Sequence, residues 1–156
     1  RVVECLVPHR IALAWRLFYG VGEEPKIRCF SSSKITIYKA DIFDLKPRHM
    51  KNADCFYDRA ALIALPKSMR SNYIQQMKAL TGNSPIGLLV SIEYLPTQSE
   101  FPPFCIKKEE IAGLFSDNFA VETLMEQNIL KSSPKALERG LTEFKEVVYS
   151  LTNLYK

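Results

Sequence analysis

A chain of 156 residues with 47% apolar residues is long and apolar enough to bury one core, which excludes an intrinsically disordered chain. Twenty-one Lys and Arg against seventeen Asp and Glu give a net charge of +4, with no run of like charge dense enough for a nucleic-acid arm. Four scattered cysteines without a CxxC pair and only two histidines lack the spacings of a zinc site, and no apolar run reaches membrane-spanning length.

The first predicted strand is Val2 to Cys5, followed by a helix over Arg10 to Tyr19. The Gly20-Val21-Gly22 stretch follows that helix and not a strand, so it is a poor phosphate cradle. Strands are expected at Ile35 to Lys39 and Asp54 to Tyr57, then a helix from Pro66 to Leu80 whose Met69, Tyr73, Met77 and Leu80 form a core-facing stripe. A strand at Ile86 to Tyr94 and a helix at Lys108 to Phe115 follow. CFY and IGLLVSI are near-continuous apolar runs, the mark of parallel strands covered on both faces. Phe119 to Met125 and Glu146 to Leu151 read as an antiparallel edge hairpin with KSSPKALERG in its connection. This alternation predicts a single α/β domain with a mixed, mostly parallel sheet.

Ligands of open α/β sheets bind beyond the carboxyl ends of the strands. Charge recurs there: Glu4, then Asp41 and Asp44, then Asp58 and Arg59, then Glu93. Solvated loops explain any one of these, whereas their recurrence suits a nucleotide-like ligand without a pyrophosphate, with one acid on a ribose and another on an exocyclic amine. Asp58 and Arg59 are either a structural ion pair at a turn or part of such a site. Cys29, Cys55 and Cys105 read as packing thiols, because no histidine motif accompanies them.

The stretches SSSKITIYKADIFDL, CFYDRAALIALP with MRSNY, LLVSIEY, PPF before a helix ending in LF, and LERGL ahead of VVYSL resemble, in order and spacing, the thiopurine S-methyltransferase family. The resemblance runs from about Ile35 to the C-terminus. It implies a Rossmann-like, S-adenosylmethionine-dependent methyltransferase that methylates sulfur, or selenium and tellurium in some bacterial members. Asp41 and Ile42 would border the adenine, Glu4 would hold the ribose, and Arg59 would stand beside cofactor and acceptor. Lys135 falls near a second substrate-facing basic position. The residues themselves suggest that Phe104, with Phe101 and Phe43, would cover a planar acceptor, with core packing an equal alternative for Phe43. Asp58 would orient Arg59 or accept a thiol proton.

Ala60 and Phe101 stand where the family has glycine, changes suited to reshaping the acceptor pocket. The resemblance also implies that the family's first strand and its cofactor glycine loop are missing. Residues 1 to 156 are therefore expected to be one N-terminally incomplete methyltransferase-like domain, with a gap between the Val2 and Phe56 strands that another segment must fill. The expected setting is cytoplasmic, with a small-molecule acceptor, no nucleic acid or membrane partner, and a monomer when complete. The alternative is a non-catalytic, methyltransferase-like binding scaffold.

Overall fold

A computed structural model describes residues 2–5 (main chain only), 27–33, 35–50, 53–81, 86–95 and 101–154. The expected helix over Arg10 to Tyr19 and the glycines Gly20 and Gly22 lie outside them.

Seven strands and four helices are described: β1 (Val2–Cys5), β2 (Ile27–Ser31), β3 (Thr36–Ala40), β4 (Cys55–Asp58), α1 (Ala61–Ala64), α2 (Lys67–Leu80), β5 (Ile86–Glu93), α3 (Lys108–Phe115), β6 (Phe119–Asn128), α4 (Pro134–Glu138) and β7 (Lys145–Asn153). Five strands form one sheet in the order β1-β4-β5-β7-β6. The β1-β4 and β4-β5 ladders are parallel, and β5-β7 and β6-β7 are antiparallel. This is the mixed α/β sheet with an antiparallel edge hairpin that the alternation of elements implies, although its ladders divide evenly between parallel and antiparallel, so it is not mostly parallel.

Two expectations about the sheet are corrected. β1 pairs directly with β4, Val3 opposite Phe56 and Glu4 opposite Tyr57, so no unpaired gap separates them and no intervening segment is needed to satisfy their backbones. β3 does not join the main sheet: it pairs antiparallel with β2 in a separate ribbon, Cys29 opposite Tyr38 and Phe30 opposite Ile37. Asp41 therefore follows a ribbon strand, not a strand of the parallel sheet.

The core lies between one face of the sheet and helices α2 and α3. Tyr73, Ile74, Met77 and Leu80 of α2 and Ile111 and Phe115 of α3 are buried with Phe56, Leu89, Val147, Tyr149 and Leu151. Each large apolar side chain so buried stabilises by about 1.5–3 kcal/mol. Met69 is 38% exposed, and the buried position of that turn is taken by Arg70, so the expected apolar stripe begins at Tyr73. The two-sided burial expected of β5 holds only toward its carboxyl end: Val90, Ser91 and Ile92 are buried, whereas Ile86 and Leu88 are exposed.

Packing explains Gly87. It stands opposite Phe56 in the ladder, and a Cβ there would lie 2.2 Å from the Phe56 ring. At the end of α2 the Thr81 amide and hydroxyl both donate to Met77 O, closing the last turn. At the end of α4, Gly140 with φ 72° lets its amide reach Leu137 O and the Leu141 amide reach Ala136 O, a Schellman closure.

Candidate active site at the carboxyl edge of the sheet

The turn after β4 is organised by Asp58. Its carboxylate accepts the Ala61 amide at 2.9 Å, the Leu62 amide at 3.2 Å and the Tyr73 hydroxyl at 2.8 Å, and it is buried. These bonds cap α1 and tie it to α2. Burial pushes the Asp58 carboxyl above its ordinary value, against the opposing pull of the Tyr73 hydroxyl and the backbone donors. Among the described residues Asp58 does not pair with Arg59. The oxygens that the expected orienting and proton-accepting roles would use are engaged by the helix end and Tyr73.

Arg59 is released to the surface by the same turn. Its side chain is 65% exposed, and Nη2 lies 3.6 Å from Oε2 of Glu146 on β7, across the end of β5. The DR pair is thus no ion pair: the two neighbours point to different partners. Ala60 is half-buried between them and α1.

The Pro-Pro-Phe loop is fixed beside this turn. The Phe104 amide donates to Ile63 O of α1 at 2.7 Å, the Tyr94 hydroxyl donates to Pro103 O at 2.8 Å, and Arg139 donates to Pro102 O at 3.1 Å. A cis peptide joins Pro102 to Pro103. Arg70 is buried on α2, where it donates to Leu65 O and to Glu110 at 2.6 Å and lies 5.7 Å from the centre of the Phe104 ring. Phe104 is half-buried and Phe101 is exposed. Lys135 is exposed on α4, one turn before the Arg139 that holds Pro102.

Asp41 is exposed, and its Oδ1 accepts the Phe43 amide at 2.9 Å, capping the short turn Ile42–Asp44. Gln76 of α2 donates to both Ile42 O and Leu45 O, at 2.7 and 2.9 Å, which anchors that turn to the core. Ile42 and Phe43 are half-buried and pack against it. Glu4 occupies the β1 position level with Tyr57, one residue before the pairing of Cys5 with Asp58.

Glu93 closes β5. Its Oε1 accepts the Lys108 amide at the start of α3 and, more weakly, the Tyr149 hydroxyl at 3.4 Å. Burial and the Glu93 carboxylate push the Tyr149 phenol well above its ordinary range. An open depression of about 310 Å³ adjoins these groups, lined by Glu93, Tyr94, Leu95, Lys107, Lys108, Glu109 and Glu143. Its lining contains none of Asp41, Arg59, Phe104 or Lys135. Cys105 is a packing thiol: burial raises its pKa, and its Sγ donates to Tyr94 O.

Hydrogen bonds therefore link the Arg59 turn to the Pro-Pro-Phe loop through α1, and the Asp41–Ile42 turn to the same core through α2. Tyr73, Gln76, Arg70 and Glu146 hold these parts together without being marked in the sequence as site residues. Tyr73 was legible only as an apolar stripe position, and the other three lie far in sequence from the groups they hold. Among the described residues no cluster of His, Cys, Asp or Glu suits a metal ion, and no helix is long and apolar enough to cross a membrane.

The family model for thiopurine S-methyltransferase matches residues 17–154. The thiopurine S-methyltransferase of Pseudomonas syringae pv. syringae is 39% identical over 136 residues, covering 83% of this chain and 62% of that protein. That of Shewanella woodyi is 35% identical over 122 residues, covering 78% and 55%. The chain thus spans 55–62% of the length of these relatives, less than two thirds. Among solved structures, mycolic acid cyclopropane synthase with S-adenosylhomocysteine is similar at a TM-score of 0.48 and 9% identity, over 72% of this chain and 58% of that one. With the acid-arginine turn and the Pro-Pro-Phe loop placed side by side, and a family match over most of its length, the chain belongs to the thiopurine S-methyltransferase family.

Proposed function

We propose that the protein transfers a methyl group from S-adenosylmethionine to a small acceptor through sulfur, or through selenium or tellurium, and that Arg59 meets the acceptor. The observation that carries this reading is the turn after β4: buried Asp58 is bonded to α1 and Tyr73, α1 is bonded to the Pro-Pro-Phe loop, and Arg59 of the same turn projects into solvent. A hydrogen-bonded base that presents a solvent-exposed cation suits binding of a polar or anionic acceptor. Phe104 and Lys135 would flank the acceptor. Asp58 acts as a positioning group.

The residues present fit the adenosine end of the methyl donor. The exposed Asp41 carboxylate has one oxygen on the Phe43 amide and accepting capacity left for an exocyclic amine, and half-buried Ile42 offers an apolar edge. Glu4, at the end of β1, is the candidate for the ribose. When bound, S-adenosylmethionine supplies an electrophilic methyl group on a sulfonium, so the protein needs no covalent nucleophile. Its own work is to position and to exclude water. A thiol acceptor, the lack of nucleic-acid or membrane partners, a monomeric state and a cytoplasmic setting complete the proposal.

One observation favours a second reading. Direct pairing of β1 with β4 yields a continuous sheet with no intervening strand, which suits a binding scaffold that has lost methyl transfer. Incubation with isotopically labelled methyl donor and three acceptor classes (a heterocyclic thiol, a selenium or tellurium oxyanion, an aliphatic thiol) separates the two. Labelled product with any class supports the enzyme; cofactor binding without product, or neither, supports the scaffold.

A further inference from the structure

We propose that Glu146 sets the charge selectivity of the acceptor end by holding Arg59 in a loose ion pair that an anionic acceptor must displace. The inference rests on the reading of Arg59 as the acceptor-facing group. The two groups are 3.6 Å apart, beyond a good hydrogen bond, and the Arg59 side chain is 65% exposed against 20% for Glu146, so the guanidinium side of the pair is open to solvent and to exchange. Ladder register explains why they meet. Asp58 stands opposite Leu89 of β5, and Glu146 stands opposite Ile92, so Arg59 reaches along and over the end of β5 to the start of β7.

Adjacent Lys145 does not neutralise Glu146. Its ammonium lies 3.0 Å from Glu126 and 3.1 Å from Glu143. Among the described residues, Arg59 is the cation paired with Glu146. An acceptor carrying a carboxylate or oxyanion therefore meets Arg59 already engaged and a second negative charge beside it, whereas an uncharged acceptor can share the guanidinium with Glu146 in place. Glu146 tunes which acceptors are taken and does not touch the reacting atoms.

The test compares the purified protein with its Glu146→Gln and Glu146→Asp variants on two matched acceptors, an aryl thiol bearing a carboxylate and the same thiol bearing a carboxamide. The readout is the ratio of kcat/KM for the anionic over the uncharged acceptor. The ratio should rise about two- to fivefold in Glu146→Gln, the scale of a solvent-exposed ion pair, and stay near the parent value in Glu146→Asp, which keeps the charge. The gain should shrink toward one at about 1 M salt, where the screening length is about 3 Å. An unchanged or lower ratio in Glu146→Gln, or an equal rise in both variants, overturns the proposal while leaving methyl transfer intact. Failure of the parent protein to methylate either thiol counts against the proposed function itself and takes this inference with it.

Discussion

Asp41, Asp58 and Glu93 each close a strand, and each accepts a backbone N–H from the turn or helix that follows. The recurrence of acids at strand ends, which in the sequence suggested a ligand crevice, has this local cause: orphan amides and the positive end of a helix favour a carboxylate there. Of the three, Asp58 is fully committed and Asp41 is exposed, so only exposure separates a cap from a cap with capacity for a ligand. Asp58→Asn puts a neutral amide in place of the carboxyl and faces the same donors with one oxygen fewer, a loss of about 1–3 kcal/mol. Because burial raises the folded pKa of Asp58 above its ordinary 3.8, its contribution is complete below that pH and falls as pH rises through the folded value. The stability gap between parent and Asp58→Asn in urea titrations should therefore be widest near pH 4 and narrow toward neutrality. A gap that widens with pH would contradict the burial-dominated carboxyl.

At the scale of elements, segments with a clear apolar pattern were legible, the short strands β1, β3 and β4 among them, and segments without one were not. α3 matches its expected bounds, and α2, β4, β5 and β7 match theirs to within a residue or two, since apolar periodicity over such segments has few alternatives. β2 was missed: IRCFS has a charged and a polar residue in a ribbon with little buried surface, so no alternation marks it. α1 and α4, of four and five residues, are too short to show a helical period. The Arg70 cluster was invisible for another reason, because its partners Leu65, Phe104 and Glu110 come from three different segments. Arg70→Ala should lower stability by about 2–4 kcal/mol, near the lower end for a broken buried pair because Glu110 is partly exposed and can rehydrate. Urea denaturation checks this, and a loss below about 0.5 kcal/mol would reduce the cluster to a surface contact.

Across the whole molecule, the α/β class and the antiparallel edge followed from element order, while the partner of β1 did not, because strand order depends on contacts that no local pattern encodes. The proposed site joins parts from distant segments: the Asp41–Ile42 turn, the end of β1, the Arg59 turn and the Pro-Pro-Phe loop. If Asp41 takes the adenine amine, Asp41→Asn, which keeps an oxygen for the Phe43 amide, should weaken S-adenosylmethionine binding by about 1–3 kcal/mol in calorimetry while leaving the melting temperature within a degree or so. Unchanged affinity would remove Asp41 from the site.

The central claim, methyl transfer with Arg59 at the acceptor, is tested most directly by transfer of labelled methyl from S-adenosylmethionine to a heterocyclic thiol by the parent protein and by Arg59→Lys. Lysine keeps the charge but loses the planar fork, and a side chain 65% exposed carries little of the fold. The parent protein should give labelled product, and Arg59→Lys should show a fall of about tenfold or more in kcat/KM with an unchanged melting temperature. Equal transfer by both proteins, or a lowered melting temperature that accounts for the lost activity, would contradict the claim.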